Sequence, residues 1–224
     1  MKQPKYNIYP SLLDSFSWYL KNENENALQE FIDRINRVPQ PYIEAADKGT
    51  KFNILTDHLI EGKMPEGWSK DGQDYICPAS GEAPEFRFPI EIADTIAGEV
   101  KGSLTQIFCE AFIETGRGLV RIYGYCDNVI GNTVIDQKTM SKAYEFPKYL
   151  HNWQHVVYPF ALNQMGAKVD MFTYLITDFK SIHKEDYIYN PDKDLPRLKA
   201  QINLLIDFLE TVKDRITDQK IIVQ

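Results

Sequence analysis

The sequence predicts an α/β fold built around a mixed central sheet. Three observations carry this expectation. Apolar residues recur with helical spacing towards both ends of the chain. The middle holds strand-like runs at 104–114, 119–125 and 133–135, separated by turn residues. A helical stretch at 152–165 then parts the third run from a fourth, apolar one at 171–177. With 224 residues, 43% hydrophobic and 25% charged, the chain can bury one sizeable core. No repeat, low-complexity tract or linker divides it. It reads as one domain over 1–224, with a helical N-terminal part (1–62), a core (88–178) and a C-terminal helix (191–218).

Taken in order, Pro10 or Ser11 opens a helix with an apolar stripe of Leu12, Leu13, Phe16 and Tyr19 or Leu20. A polar break covers Asn22 to Asn26. A second helix, 27–38, puts Leu28, Phe31, Ile32 and Ile35 on one face, and Pro39 and Pro41 end it. A third helix is expected over 43–60. The segment 62–86 is rich in Gly, Pro, Asp, Ser and Lys and reads as an irregular excursion with one short strand at 75–77. Trp68 and Tyr75 there are of a type that stacks on bases, but packing under the loop is the plainer reading. A helix over 89–100 precedes the first long strand. That strand alternates Ile107, Cys109, Ala111 and Ile113 against Phe108, Glu110, Phe112 and Glu114. The stretch 142–149 is a polar connection, 180–193 a loop, and 195–216 a long amphipathic helix.

The stretch 123–139 carries the chemistry. A Gly/Asn turn over 128–132 joins two strand-like runs, the mark of a β-hairpin. Alternation on the second strand puts Asp136 and Lys138 on one face and Ile135 and Gln137 on the other. If the strands pair, Asp127 comes near Asp136. Two close carboxylates repel unless a cation lies between them. A hard divalent ion takes oxygen ligands and leaves room for water and phosphate. A neighbouring ammonium can orient a nucleophile or neutralise developing charge. The plainer alternative is an ordinary hairpin with a solvated Asp, Asp, Lys face.

Gly124-x-x-Asp127, then Ile135-Asp136-Gln137-Lys138-Thr139, then Gln154-x-x-x-Tyr158 resembles the PD-(D/E)XK nuclease superfamily, in its RecB-like and phage exonuclease branch. The resemblance implies a restriction-endonuclease-like α-β-β-β-α-β core. It implies a Mg²⁺- or Mn²⁺-dependent DNA nuclease, exonuclease-like, working in phage-type recombination or DNA processing. Asp127, Asp136 and the Gln137 main-chain carbonyl would hold the metal. Lys138 would sit by the attacking water, with Gln154 and Tyr158 aimed at the site. Relatives often carry Gly-x-x-x-His on the preceding helix, the His being a further ligand. Here Gly49-x-x-x-Asn53 stands instead, so Asn53 takes that place through its carbonyl oxygen or a water. His58 lies at a different helical angle and reads as structural or exposed. Glu110 or Glu114 would be an added carboxylate, and Ser11-Leu12-Leu13 is similar to a Ser-x-Leu pattern on the first helix of the branch. The implied partner is DNA, and the resemblance leaves room for a recombination-protein partner and a homo-oligomer. The alternative is a catalytically degenerate member acting as a nucleic-acid-binding or assembly module. Asn53 favours that alternative; intact Asp127, Asp136 and Lys138 oppose it.

Charge sets a further condition. The formal net charge is −7, which argues against a general nucleic-acid binder and asks for a local basic rim. Lys138, Lys142 and Lys148, with Arg117 or Arg121, are the candidates. Three cysteines without metal-type spacing read as reduced thiols and do not supply an iron–sulfur cluster. No apolar run approaches the roughly 20 residues of a membrane span, and the first residues lack an apolar leader. A cytoplasmic location with no membrane partner is the expectation.

Overall fold

The computed structural model describes residues 3–22 and 24–223. Glu23, inside the polar break, and Met1 and Lys2, in the stretch read as lacking an apolar leader, lie outside the described residues. The chain begins with β1 (Tyr6–Ile8), α1 (Pro10–Lys21), α2 (Glu25–Ile35) and α3 (Glu44–Ile60). Then come β2 (Ser69–Asp71), β3 (Asp74–Cys77), β4 (Phe86–Pro89) and α4 (Ile90–Glu99). The central meander is β5 (Leu104–Thr115), β6 (Gly118–Ile130) and β7 (Thr133–Thr139). It is followed by α5 (Gln154–Gln164), β8 (Met171–Thr177), β9 (Ile182–Ile188) and α6 (Pro191–Thr211).

Helix ends follow local chemistry. Pro10 starts α1 at its first turn, where the missing N–H costs nothing. Asn24 caps α2 by accepting from the Ala27 N–H at 3.0 Å. Asn190 caps α6 through Asp192 N–H, with Pro191 next in line. That helix therefore begins at Pro191 and ends at Thr211, earlier at both ends than its apolar stripe alone suggests.

The main sheet has six strands and mixed directions. β5, β6 and β7 are antiparallel neighbours, β8 lies parallel to β7, and β9 closes that edge antiparallel to β8. β8 is buried on both faces, which is why it reads as an unbroken apolar run. Phe172, Tyr174 and Ile176 enter the core under α1, α2, α5 and α6. Leu175 and Ile135 enter a second core with Phe52 and Leu55 of α3 and Ala93 and Ile96 of α4. Helices thus cover both faces of the sheet.

β6 is the strand on which the site depends. β5 runs along one of its edges from Gly118 to Val129. The other edge is shared: β1 takes Val120 to Ile122, and β7 takes Asn128 to Ile130. Between those two partners, 123–127 is left open on that edge.

Three expectations need correction, and one strand was not foreseen. The hairpin turn is only Gly131 and Asn132, because β6 continues through Asp127 to Ile130. The excursion at 62–86 contributes to a three-stranded sheet, β2–β3–β4. There Tyr75 is buried and donates to Asp94 at 2.6 Å, and Trp68 stacks on Phe88. The presumed loop 180–193 contains β9. Its alternation was hidden by charged residues, one of which, Glu185, points inwards. β1 is a three-residue strand whose parallel pairing with β6 no local pattern announces. Among the described residues, no helix is long and apolar enough to cross a membrane.

Candidate functional site

The hairpin register leads Asp127 and Asp136 to face each other. Asn128 pairs with Ile135, so the next positions out are Asp127 and Asp136. There the ladder stops. Gln106, across from Asp127 on β5, is also skipped, with φ at 50°. The flanking residues confirm the break. Cys126 packs in the α5-side core, whereas Asn128 bonds the Gln137 side chain, which itself bonds Thr56 of α3. Residues two apart normally share a face. β6 therefore turns over at Asp127, and strands β6 and β7 part around it.

The Asp127 carboxylate fills the gap. Its Oδ2 accepts the Gln137 N–H at 3.2 Å. In an extended strand a residue's N–H and C=O leave on the same side, so the Gln137 carbonyl also faces the gap. Burial, with Asp136 beside it, pushes the Asp127 carboxyl up to about 7.

Asp136 is almost fully buried. Its Oδ1 accepts from Gln154 Nε2 at 2.8 Å, which ties the first turn of α5 to β7. Its Oδ2 lies 2.5 Å from Lys138 Nζ as an ion pair and takes no directional hydrogen bond among the described residues. Burial works against the Lys138 charge, but Asp136 and Asp127 outweigh it and raise its pKa. Tyr149 and Tyr174, stacked at 4.6 Å, stand beside this lysine.

Two glycines allow the close approaches. A Cβ on Gly124 would stand 2.7 Å from Tyr158 Cε1. Tyr158 thus packs against the open stretch of β6, one helical turn beyond Gln154. A Cβ on Gly49 would stand 2.6 Å from Thr139 Oγ1, so α3 meets the end of β7 only because residue 49 has no side chain. That contact sets the position of Asn53 one turn on. Asn53 Oδ1 is buried and without a hydrogen-bond partner.

Asp127, Asp136, Lys138, Gln154 and Tyr158 are brought together, with Gln137 between strands and Asn53 on the groove wall. Other candidates fall away. Glu110 pairs with Arg121 at 2.6 Å and Arg117 with Asp207 at 2.5 Å, so neither arginine joins the rim. His58 binds the Ile54 carbonyl of its own helix. Glu114 faces Leu119 at the far end of β5. The three cysteines are free and buried.

Sequence reasoning missed five contributors: Thr56, Asn128, Ser103, Asp14 and Ser17. Thr56, Asn128 and Ser103 form a hydrogen-bonded chain with the Gln137 side chain, which fixes the middle residue of Asp-x-Lys. Asp14 of α1 accepts the Trp153 N–H at 2.7 Å, at the start of α5. Trp153 offers no side-chain cap of its own, so Asp14 caps α5 from another helix. Burial pushes the Asp14 carboxyl up to about 6. A polar pair three apart on an apolar helix, Asp14 and Ser17, was the available signal; Ser17 accepts from the Trp153 indole at 3.0 Å.

Among the described residues, no group of three or more His, Cys, Asp or Glu side chains is arranged to hold a metal. The oxygens that do converge suit a hard divalent cation. They are the carboxylates of Asp127 and Asp136, the Gln137 main-chain carbonyl and the Asn53 side-chain oxygen; of these, Asp136 Oδ2 is ion-paired with Lys138 and Asn53 Oδ1 is buried without a hydrogen-bond partner. A groove of about 1030 Å³ borders this cluster at Asn53, Gln137 and Lys138 and is lined further along by Lys142 and Lys148.

No protein-family model and no curated protein matches the chain. Among solved structures, the crystal structure of a protein designated SSO0001 is similar to it, with a TM-score of 0.48 and 14% identity, covering 91% of this chain and 79% of that one.

Proposed function

We propose that this chain is a metal-dependent DNA nuclease, exonuclease-like, with a restriction-endonuclease-like core. It would hydrolyse phosphodiester bonds in phage-type recombination or DNA processing. The observation that supports this most is the meeting of Asp127 and Asp136 where β6 and β7 part, with Lys138 and Gln154 both on Asp136. The element order α4-β5-β6-β7-α5-β8 is consistent with it.

Asp127, Asp136, the Gln137 carbonyl and Asn53 would hold Mg²⁺ or Mn²⁺. Such an ion supplies a lowered pKa for bound water and charge stabilisation at a phosphoryl oxygen. The protein's own groups do the rest. Gln154 keeps Asp136 in one rotamer. The Thr56–Gln137–Asn128 chain keeps the strand fork open. Lys138, a quarter exposed to the groove, offers its ammonium where negative charge grows. A second reading is a binding or assembly module without turnover, favoured by a donor set of only two carboxylates and by Asn53.

The test is incubation of the purified protein with linear, circular, single- and double-stranded DNA, with and without Mn²⁺. The expected result is Mn²⁺-dependent loss of linear DNA that Asp127→Asn abolishes. DNA left intact under all these conditions overturns the nuclease reading, and DNA binding that persists then moves the assignment to the module.

A further inference from the structure

Resting on the nucleic-acid reading just given, we infer that the groove takes single-stranded DNA, with Phe146 as a stacking platform on its rim. The chain is acidic overall, at −7. Yet Lys48, Lys142, Lys148 and Lys180 converge on this one groove, in addition to Lys138. Among the described residues none of these four is ion-paired. The groove's acids are Glu44 and Asp178, and Asp178 Oδ1 is taken up by the N–H groups of Lys180 and Ser181. The groove therefore keeps a net positive lining suited to a phosphate backbone.

The rim is built to hold its shape. Glu185, 1% exposed, accepts from Tyr144 Oη at 2.8 Å, from the N–H groups of Lys148 at 2.7 Å and Tyr149 at 3.0 Å, and from Tyr187 Oη at 2.5 Å. These four bonds outweigh its burial and hold its carboxyl below the usual range. One buried carboxylate thus pins both ends of the segment from Tyr144 to Tyr149. Phe146 stands in that segment between groove-lining Ala143 and Lys148, and it is 74% exposed. An exposed aromatic on a segment pinned at both ends, close in sequence to the groove's cationic lining, suits a strand whose bases are free. In a duplex each base face is covered by its neighbour, whereas an unpaired base offers its face to the ring.

Binding in EDTA separates this from catalysis, because no cleavage is involved. Fluorescence anisotropy would compare a labelled single-stranded oligonucleotide with a blunt duplex of the same sequence. Tighter single-strand binding by the wild-type protein is expected. Phe146→Ala should weaken it by roughly 5- to 100-fold, with little change in duplex binding and an unchanged melting curve. Lys142→Gln, Lys148→Gln and Lys180→Gln should each lower the slope of log K against log salt by about 0.7. Duplex bound as tightly as single strand overturns the inference, as does single-strand affinity unchanged in Phe146→Ala, which would leave the ring to a protein partner. DNA left uncut in the earlier assay bears on the nuclease reading alone.

Discussion

Gly124 and Tyr158 compete for one volume: a methyl group on the glycine would stand 2.7 Å from the tyrosine's Cε1. This single approach joins the open stretch of β6 to the helix that carries Gln154. It also gives a glycine in mid-strand a physical reason.

The first prediction uses the sign of a substitution. Gly124 has no positive φ, so its backbone would accept alanine. In a strand with free space Gly→Ala stabilises by about 0.5–1 kcal/mol. Here the ring is buried among Val156, Val157 and Phe172 and has little room to withdraw. Gly124→Ala should therefore destabilise by about 1–3 kcal/mol. Adding Tyr158→Leu should recover part of that loss, giving a coupling energy above about 0.5 kcal/mol in a denaturant double-mutant cycle. Additive effects would show that the ring does not set the glycine.

A second prediction concerns Asp127 in the presence of chelator. Its folded pKa is about 7, above an unfolded value near 3.9. Between these values the native state binds more protons than the unfolded state. Stability therefore falls as pH rises through this window, and the loss is complete above pH 7. Asp127→Asn removes the titration. The variant should gain on the wild-type protein from pH 4 to pH 7, by up to a few kcal/mol, and the gain should be flat above. Urea melts across this range would decide it; parallel curves would mean that Asp127 ionises freely.

Asp14 carries the third prediction. Asparagine keeps an oxygen for the Trp153 N–H and removes a charge that burial disfavours. Asp14→Asn should hold or raise stability above pH 6. Asp14→Ala leaves the N-terminus of α5 uncapped and should cost about 1–2 kcal/mol. Faster amide exchange confined to the first turn of α5 would mark the capping role. Equal stability of the two variants would remove it.

Much of this arrangement was legible in the sequence because it is local. The alternation in 133–139 put Asp136 and Lys138 on one face and Gln137 on the other, and the fold keeps them so. Helix spacing set Gln154 and Tyr158 on one side of α5. What was hidden depends on distant chain. Pairing of β1 with β6, and Asp14 capping α5, join residues more than a hundred positions apart. The fork at Asp127 was hidden for another reason. The run from Leu119 to Ile130 is apolar enough to be a strand throughout, but Asn128 looked like a turn residue. It is buried instead, bonded to Gln137 and Ser103. β9 was masked by its charges, and Glu185 is the one that turns inwards.

The last prediction separates turnover from binding at Lys138. Among the described residues, its ammonium is the one cation paired with buried Asp136, at 2.5 Å. Lys138→Met keeps most of the aliphatic stem and removes the charge. Without metal, Asp136 is then left uncompensated, and breaking such a pair costs on the order of a few kcal/mol. Partial exposure of the lysine reduces that figure. The melting temperature of Lys138→Met in chelator should therefore fall. Mn²⁺, if Asp136 holds it, replaces the missing charge and adds its own mass-action stabilisation. The Mn²⁺-induced rise in melting temperature should then be larger in the variant than in the wild-type protein. Cleavage measured in saturating Mn²⁺ should drop by roughly 10²- to 10³-fold, since interactions that grow in the transition state appear in the rate. DNA affinity should change little, because one lost cation is at most one lost phosphate contact. A variant whose melting temperature ignores Mn²⁺ would remove Asp136 from the ligand set. A variant that rises with Mn²⁺ and cuts DNA at the wild-type rate would leave Lys138 as the partner that keeps Asp136 charged, with no part in the chemistry.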